Sequence, residues 1–286
     1  MNWAGVIPAI TTPFREDLSV DHDFLAKHAQ WMIDHGCSGI VALGSLGEGG
    51  TLEFDEKVAV LQTCVRALRV PVIAAISALS TSAAMRLAQE AEKAGCSGLM
   101  VLPPYVYSTD WREMKAHISA VLRATSLSCM LYNNPIAYRT DFLPEQIAEL
   151  AKEHENLHAV KESSADIRRI AAIRALIGKR LAIFVGVDDL IVEGIAAGAA
   201  GWIAGLVNAL PTESVALFNG ANIYEWFLPL LRLDTVPKFV QLIKLVQEEV
   251  GMGSERVRPP RLELAGEERE GALRLIRAAL ASRPRV

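Results

Sequence analysis

The feature that most restricts this chain is a change of hydrophobic period that recurs along its first three quarters. Short apolar runs at 6–11, 39–43, 72–76, 98–102, 129–132, 157–161, 182–186 and 201–204 alternate with longer segments whose apolar residues recur near every 3.6 positions. Val58, Leu61, Val65 and Leu68 form one such helical stripe, and Ile170, Ile173 and Ile177 another. Eight strand-helix units in about 225 residues predict a (β/α)8 TIM barrel. A doubly wound open sheet is the structural rival, and the even spacing of the units favours closure.

Three strand entries share a pattern: Gly36-Cys37-Ser38-Gly39, Gly95-Cys96-Ser97-Gly98 and Gly198-Ala199-Ala200-Gly201. The first glycine suits the left-handed residue that ends a helix, and the second a tight strand entry. They read as scaffold at the bottom of the barrel. After residue 225 the alternation stops. Val236, Phe239, Val240, Ile243, Val246 and Val250 fall on one helical face, and Leu273, Ile276 and Leu280 on another. Residues 1–225 are therefore expected to form the barrel and 226–286 a C-terminal helical extension packed on it. The charged run 266–270 reads as a solvated helix start.

Charge and composition exclude several function classes. With 51% hydrophobic residues and a net charge of −4, nothing suggests a nucleic-acid partner. The start of the chain lacks a basic segment followed by a long apolar run, and no apolar stretch reaches the roughly 20 residues that span a bilayer. The expectation is a cytoplasmic protein without a membrane partner. Cys37, Cys64, Cys96 and Cys129 form no CxxC pair, and the histidines are dispersed, so buried thiols and no metal or other cofactor are expected.

In a barrel of this kind, chemistry sits where strands end. The run 157–161 ends on Lys161, an ammonium in a buried place. Every other lysine falls in a helical or turn pattern, where a solvated charge is the usual role. Two readings of Lys161 stand side by side: an internal salt bridge to Glu48 or Asp188, or a neutral amine able to form Schiff bases with carbonyl compounds. Tyr132 ends the preceding strand and can stand beside Lys161 as a proton shuttle, or simply pack the rim. The turn Gly44-Ser45-Leu46-Gly47 offers a hydroxyl and successive N–H groups suited to a carboxylate. Asp188 and Asp189 either bind a hydroxylated substrate tail or cap a helix.

The segments Gly5-Val6-Ile7-Pro8-Ala9-Ile10-Thr11-Thr12-Pro13-Phe14, Gly44-Ser45-Leu46-Gly47-Glu48, Tyr132-Asn133-Asn134-Pro135, Lys161-Glu162 and Gly186-Val187-Asp188-Asp189 occur in an order that resembles the dihydrodipicolinate synthase / N-acetylneuraminate lyase superfamily. That resemblance implies a Schiff base between Lys161 and a 2-oxo acid, with Tyr132 and Ser45 relaying protons. It further implies backbone groups of Ser45 and Leu46 on the substrate carboxylate, Gly186 and Ile203 lining the pocket, and assembly as a homotetramer built from tight dimers. Ser163 and Asp188 join the expected substrate contacts. Tyr107 is the candidate for a tyrosine that reaches across a dimer, with Val106 at the position where the family places it.

Two departures narrow the expectation. Ala137 stands where synthases that use aspartate semialdehyde carry an arginine, and Leu46 replaces a second hydroxyl. Lys161 to Arg169, Tyr132 to Ile136 and Val257 to Leu262 are most similar to the 1-pyrroline-4-hydroxy-2-carboxylate deaminases, which yield 2,5-dioxopentanoate and ammonia. The alternatives are a 5-dehydro-4-deoxyglucarate dehydratase, a 2-oxo-acid aldolase or a dihydrodipicolinate synthase-like enzyme. A non-catalytic ligand sensor on the same barrel would need Lys161 to be a salt-bridge partner.

Overall fold

A computed structural model describes residues 1–104 and 109–286. Each apolar run forms a strand: β1 (Gly5–Pro8), β2 (Ile40–Ala42), β3 (Val72–Ile76), β4 (Gly98–Val101), β5 (Ser128–Asn133), β6 (Leu157–Glu162), β7 (Ala182–Val185) and β8 (Gly201–Ala204). All pair in parallel, in the order β1-β8-β7-β6-β5-β4-β3-β2. A parallel bridge from Ala9 to Val41 joins the two ends. The sheet is therefore closed into a (β/α)8 barrel, and the open-sheet rival falls away.

Around the strands run α1 (His22–Asp34), α2 (Phe54–Ala67), α3 (Thr81–Lys93), α4 (Trp111–Arg123), the short α5 (Pro135–Tyr138), α6 (Pro144–Glu153), α7 (Arg168–Ile177), α8 (Ile191–Ala196) and α9 (Pro211–Phe218). Side-chain caps start several of them: Asp21 accepts from the Phe24 N–H, Ser80 from Ala83 and Asp110 from Glu113. The longer helices among them bury an apolar stripe, as α3 does with Ala84, Leu87, Ala88 and Ala91.

The repeated glycine pattern closes three helices in the same way. Gly36, Gly95 and Gly198 have φ of +95°, +91° and +95°. The N–H that follows each returns to a carbonyl five residues back: Cys37 to Met32 at 3.2 Å, Cys96 to Ala91 at 3.0 Å and Ala199 to Gly194 at 2.9 Å. This closure satisfies helix-end carbonyls and turns the chain into the next strand. It is repeated scaffold, as expected from the sequence.

Beyond α9 come α10 (Tyr224–Leu231), a 3-10 turn (Arg232–Thr235), α11 (Phe239–Glu249) and α12 (Gly266–Ala281). One cluster of buried apolar side chains runs from Trp3 in the barrel to Ile276 in α12. Val240, Ile243, Val246, Leu273 and Ile276 are buried in it. Val236 departs from the anticipated face: it precedes α11 on extended backbone and is exposed. The start of α12 is solvated, with Glu268 paired to Lys238.

Lys244 corrects the assumption that every lysine but Lys161 is solvated. It is 2% exposed on α11. Its Nζ donates to Glu48 Oε1 at 2.7 Å and to the Arg256 carbonyl at 2.6 Å, 4.4 Å from the centre of the Phe14 ring. The other Glu48 oxygen accepts the Arg258 N–H at 3.0 Å. Glu48 thus ties the C-terminal segment to the barrel and is not the partner of Lys161. A helical sequence pattern does not reveal such burial, because a single polar position beside an apolar stripe reads as surface.

All four cysteines are free and buried, and burial pushes each thiol up to about 12. Among the described residues, no helix is long and apolar enough to cross a membrane.

Candidate active site

Tyr132 on β5 and Lys161 on β6 are register partners. Partners in a parallel pair share a face, so both side chains point into the barrel at one height. Lys161 Nζ lies 4.1 Å from the centre of the Tyr132 ring, and the residue is 7% exposed. Among the described residues no carboxylate comes within ion-pair distance of it. Burial lowers its pKa to about 8, against the pull of Asp234 and then Asp188. A buried lysine without a salt bridge carries an appreciable share of neutral, nucleophilic amine near neutral pH. The site therefore favours the Schiff-base reading over the salt bridge.

Room for that side chain comes from the residue that follows β7. A Cβ on Gly186 would stand 2.5 Å from Lys161 Cε and 1.9 Å from Ser163 Oγ, so only glycine fits there. Ser163 is 1% exposed, and its hydroxyl has no hydrogen bond of proper geometry. It lies close enough to the Tyr132 phenol to favour the ionised form. A buried hydroxyl left without a partner invites a ligand atom.

The phenol of Tyr132 accepts a hydrogen bond from Asn134 Nδ2 at 2.9 Å. Asn134 Oδ1 caps α5 by accepting the Ala137 N–H at 3.0 Å. One side chain thus orients the phenol and starts the helical turn after β5. Burial raises the Tyr132 pKa to about 12, with Asn134, Ser163 and Ser45 opposing. Tyr132 accordingly rests as a protonated phenol, suited to donate a proton before it accepts one.

The turn of α5 also brings in a residue that sequence reasoning missed. Tyr138 OH and Ser45 Oγ are hydrogen-bonded, and the Tyr138 ring stands edge-on to Tyr132 with centroids 5.9 Å apart. Two phenols and one hydroxyl therefore converge over Lys161. The Asn-Pro pair after the strand was the available signal, since it starts a capped helical turn that swings residue 138 back over the mouth.

Across the mouth, Ser45 and Leu46 follow β2. Among the described residues their N–H groups reach no protein acceptor, while the Leu46 side chain is buried. Two such N–H groups suit a carboxylate. Ile203 on β8 is buried beside β1, paired with Ile7. Asp188 is fully buried and its oxygens are taken: Trp202 Nε1 donates at 3.0 Å, Gly205 N at 3.1 Å and Leu206 N at 2.9 Å. It fastens the loop after β8 and does not present an open oxygen to a substrate tail. Asp189 lies 3.6 Å from Arg232. Tyr107, with Val106, lies outside the described residues.

A second missed residue comes from the C-terminal extension. Asp234, in the turn after α10, places its Oδ1 2.1 Å from where a Cβ on Gly205 would stand. It shares the electrostatic environment of Lys161, Tyr132 and Asp188. No local pattern marks it, because the extension meets β8 only in the folded chain.

A lysine with a lowered pKa at the end of β6, hydroxyl groups above it and free N–H groups across the barrel define a (β/α)8 enzyme of the Schiff-base, class I aldolase type. The chain belongs to the dihydrodipicolinate synthetase family, whose model matches residues 2–279. It is 33% identical over 269 residues to a 4-hydroxy-tetrahydrodipicolinate synthase of Agrobacterium fabrum, covering 90% of this chain and 92% of that one. A synthase of the same name from Chelativorans sp. is 37% identical over 223 residues, 77% and 76% of the two chains. Among solved structures, a dihydrodipicolinate synthase from Bacillus anthracis superposes with a TM-score of 0.92 at 26% identity, covering 100% of both chains.

Proposed function

We propose that this enzyme converts 1-pyrroline-4-hydroxy-2-carboxylate to 2,5-dioxopentanoate and ammonia, acting in the cytoplasm as a homotetramer. The observation that carries the reading is the neighbourhood of Lys161: an unpaired lysine amine beside a triad of hydroxyls, with Ala137 where a second-carboxylate grip is expected. In this reading the amine adds to C2 of the cyclic imine, and expulsion of the ring nitrogen opens the ring. The substrate carboxylate rests on the Ser45 and Leu46 N–H groups. Tyr132, Ser45 and Tyr138 move the protons that carbinolamine-like intermediates need. The resulting iminium acidifies C3, so loss of a C3 proton expels the 4-hydroxyl as water. Rearrangement and two hydrolyses release the keto acid, the aldehyde and ammonia, with net uptake of one water.

The names of the relatives favour a second reading, a 4-hydroxy-tetrahydrodipicolinate synthase. Arg139, exposed two residues beyond Ala137, is the nearest candidate in that segment for an added carboxylate grip. A side-by-side panel separates the two. The pyrroline is expected to yield ammonia and 2,5-dioxopentanoate. Faster turnover of pyruvate with aspartate semialdehyde, or of 5-dehydro-4-deoxyglucarate, would reassign the substrate.

A further inference from the structure

The elimination just described needs an acid for the departing hydroxyl, and neither Lys161 nor the Ser45 turn is placed to serve C4. The substituents of a trigonal C2 point apart. With the carboxylate on the β2 side, the part of the mouth formed by β7, β8 and the turn Arg232–Thr235 offers a place for the rest of the substrate. That side holds Gly186, the unpartnered Ser163 hydroxyl, Gly205 and Asp234.

Asp234 differs from its neighbour Asp188 in one decisive way. Asp188 is held by three N–H donors, whereas among the described residues no protein group hydrogen-bonds to Asp234. Arg232, on the same turn, pairs with Asp189. The half-buried Asp234 enters the mouth only because residue 205 has no side chain: a Cβ there would lie 2.1 Å from Oδ1 and 2.6 Å from Cγ. Charged and titratable groups that face it are Lys161 on β6, Asp188 and Asp189 after β7, and Tyr132 on β5.

We propose that Asp234 is the acid that protonates the 4-hydroxyl of the ring-opened substrate held on Lys161. The proposal rests on the deaminase reading and adds a residue to it. In the step, the C3–H bond breaks, its electrons form the enamine, and its proton passes to the Tyr132–Ser45–Tyr138 relay, which gave one up in forming the iminium. The enamine then expels the C4–O bond, and the oxygen takes the Asp234 proton and leaves as water. The new carboxylate next removes a proton from C5, so a dienamine forms and the carboxyl is restored. Protonation at C3 moves the remaining double bond toward C5, and hydrolysis there releases ammonia. Burial and the like charge of Asp188 raise the Asp234 pKa well above the usual carboxylate range, which keeps the acid loaded; Lys161 opposes this.

The test uses the full-length protein and Asp234→Asn, with folding checked by circular dichroism. Borohydride with pyruvate, which has no hydroxyl to lose, is expected to label Lys161 in both proteins. With the pyrroline, the variant is expected to turn over roughly 10²–10⁴-fold more slowly. Its borohydride adduct on Lys161 is expected to retain the 4-hydroxyl, while the wild-type adduct is one water lighter. The alkaline limb of wild-type kcat should also disappear in the variant. Wild-type turnover by Asp234→Asn would overturn the proposal, as would a stalled variant whose adduct has already lost water. If the wild-type enzyme labels Lys161 with pyruvate but leaves the pyrroline unchanged, the deaminase reading itself falls and takes this acid role with it.

Discussion

Among the described residues two lysines are buried, and their surroundings make them opposite kinds of residue. Lys244 has Glu48, a backbone carbonyl and the Phe14 face around its ammonium. Lys161 has the Tyr132 face, a glycine that makes room for it and, among the described residues, no carboxylate at bonding distance. Both lie over an aromatic ring, so the ring does not separate them. The carboxylate does. For Lys244 the charge is compensated and serves to hold the C-terminal segment on the barrel. For Lys161 it is left poorly compensated, which costs stability and releases a neutral amine for chemistry. Burial alone therefore does not mark a lysine as reactive; the missing partner is what suits Lys161 to the proposed Schiff-base role.

Replacing both residues by methionine is the strongest challenge to this contrast. Lys161→Met should lower turnover by roughly 10⁴-fold or more, as loss of a nucleophile does. It should leave the protein as stable as the wild type, or about 1–3 kcal/mol more stable at pH 7 in urea melts, since an apolar chain replaces a buried ammonium. The pH trend follows from linkage. The folded pKa, about 8, lies below the unfolded 10.5. The unfolded chain thus binds more protons between those values, and wild-type stability rises with pH across that window relative to the variant. A variant destabilised at every pH would refute the unpaired reading.

Lys244→Met should do the reverse. It strands a buried carboxylate at Glu48 and should cost about 3–5 kcal/mol, with little loss of activity per folded molecule. Converting Glu48 to leucine in the same protein should recover part of that loss. Additive losses in the double variant, measured by urea melts, would show the pair to be uncoupled.

A smaller effect is expected at Tyr138. Tyr138→Phe removes the hydroxyl bonded to Ser45 and should slow turnover by roughly 10²-fold, with pyruvate labelling of Lys161 retained. An unchanged rate in steady-state assays would take Tyr138 out of the relay. The mildest prediction concerns pH alone. Trapping of pyruvate on Lys161 should rise about tenfold per pH unit below 8 and level off above it, as the amine replaces the ammonium. A plateau reached only near 10 would place Lys161 in a normal solvated environment.

The sequence alone determined the barrel and the half of the site that lies on consecutive strands. Strand alternation is a local property repeated eight times, so each apolar run announced itself. Tyr132 and Lys161 end adjacent strands, and parallel pairing brings such ends to one height. Gly186 follows the next strand over, and the Ser45 turn across the mouth was legible from its own glycine-rich motif. What only the tertiary structure decided were the contacts between distant segments: Glu48 with Lys244, Asp188 with the loop after β8, and Asp234 over Gly205. The first and last of those contacts depend on how the C-terminal helices return to the barrel mouth, and the middle one on how two loops meet; neither kind of packing leaves a period in the chain. The return of those helices supplies Lys244 with a carboxylate. It brings Lys161 only within electrostatic range of Asp234, too weakly for an ion pair.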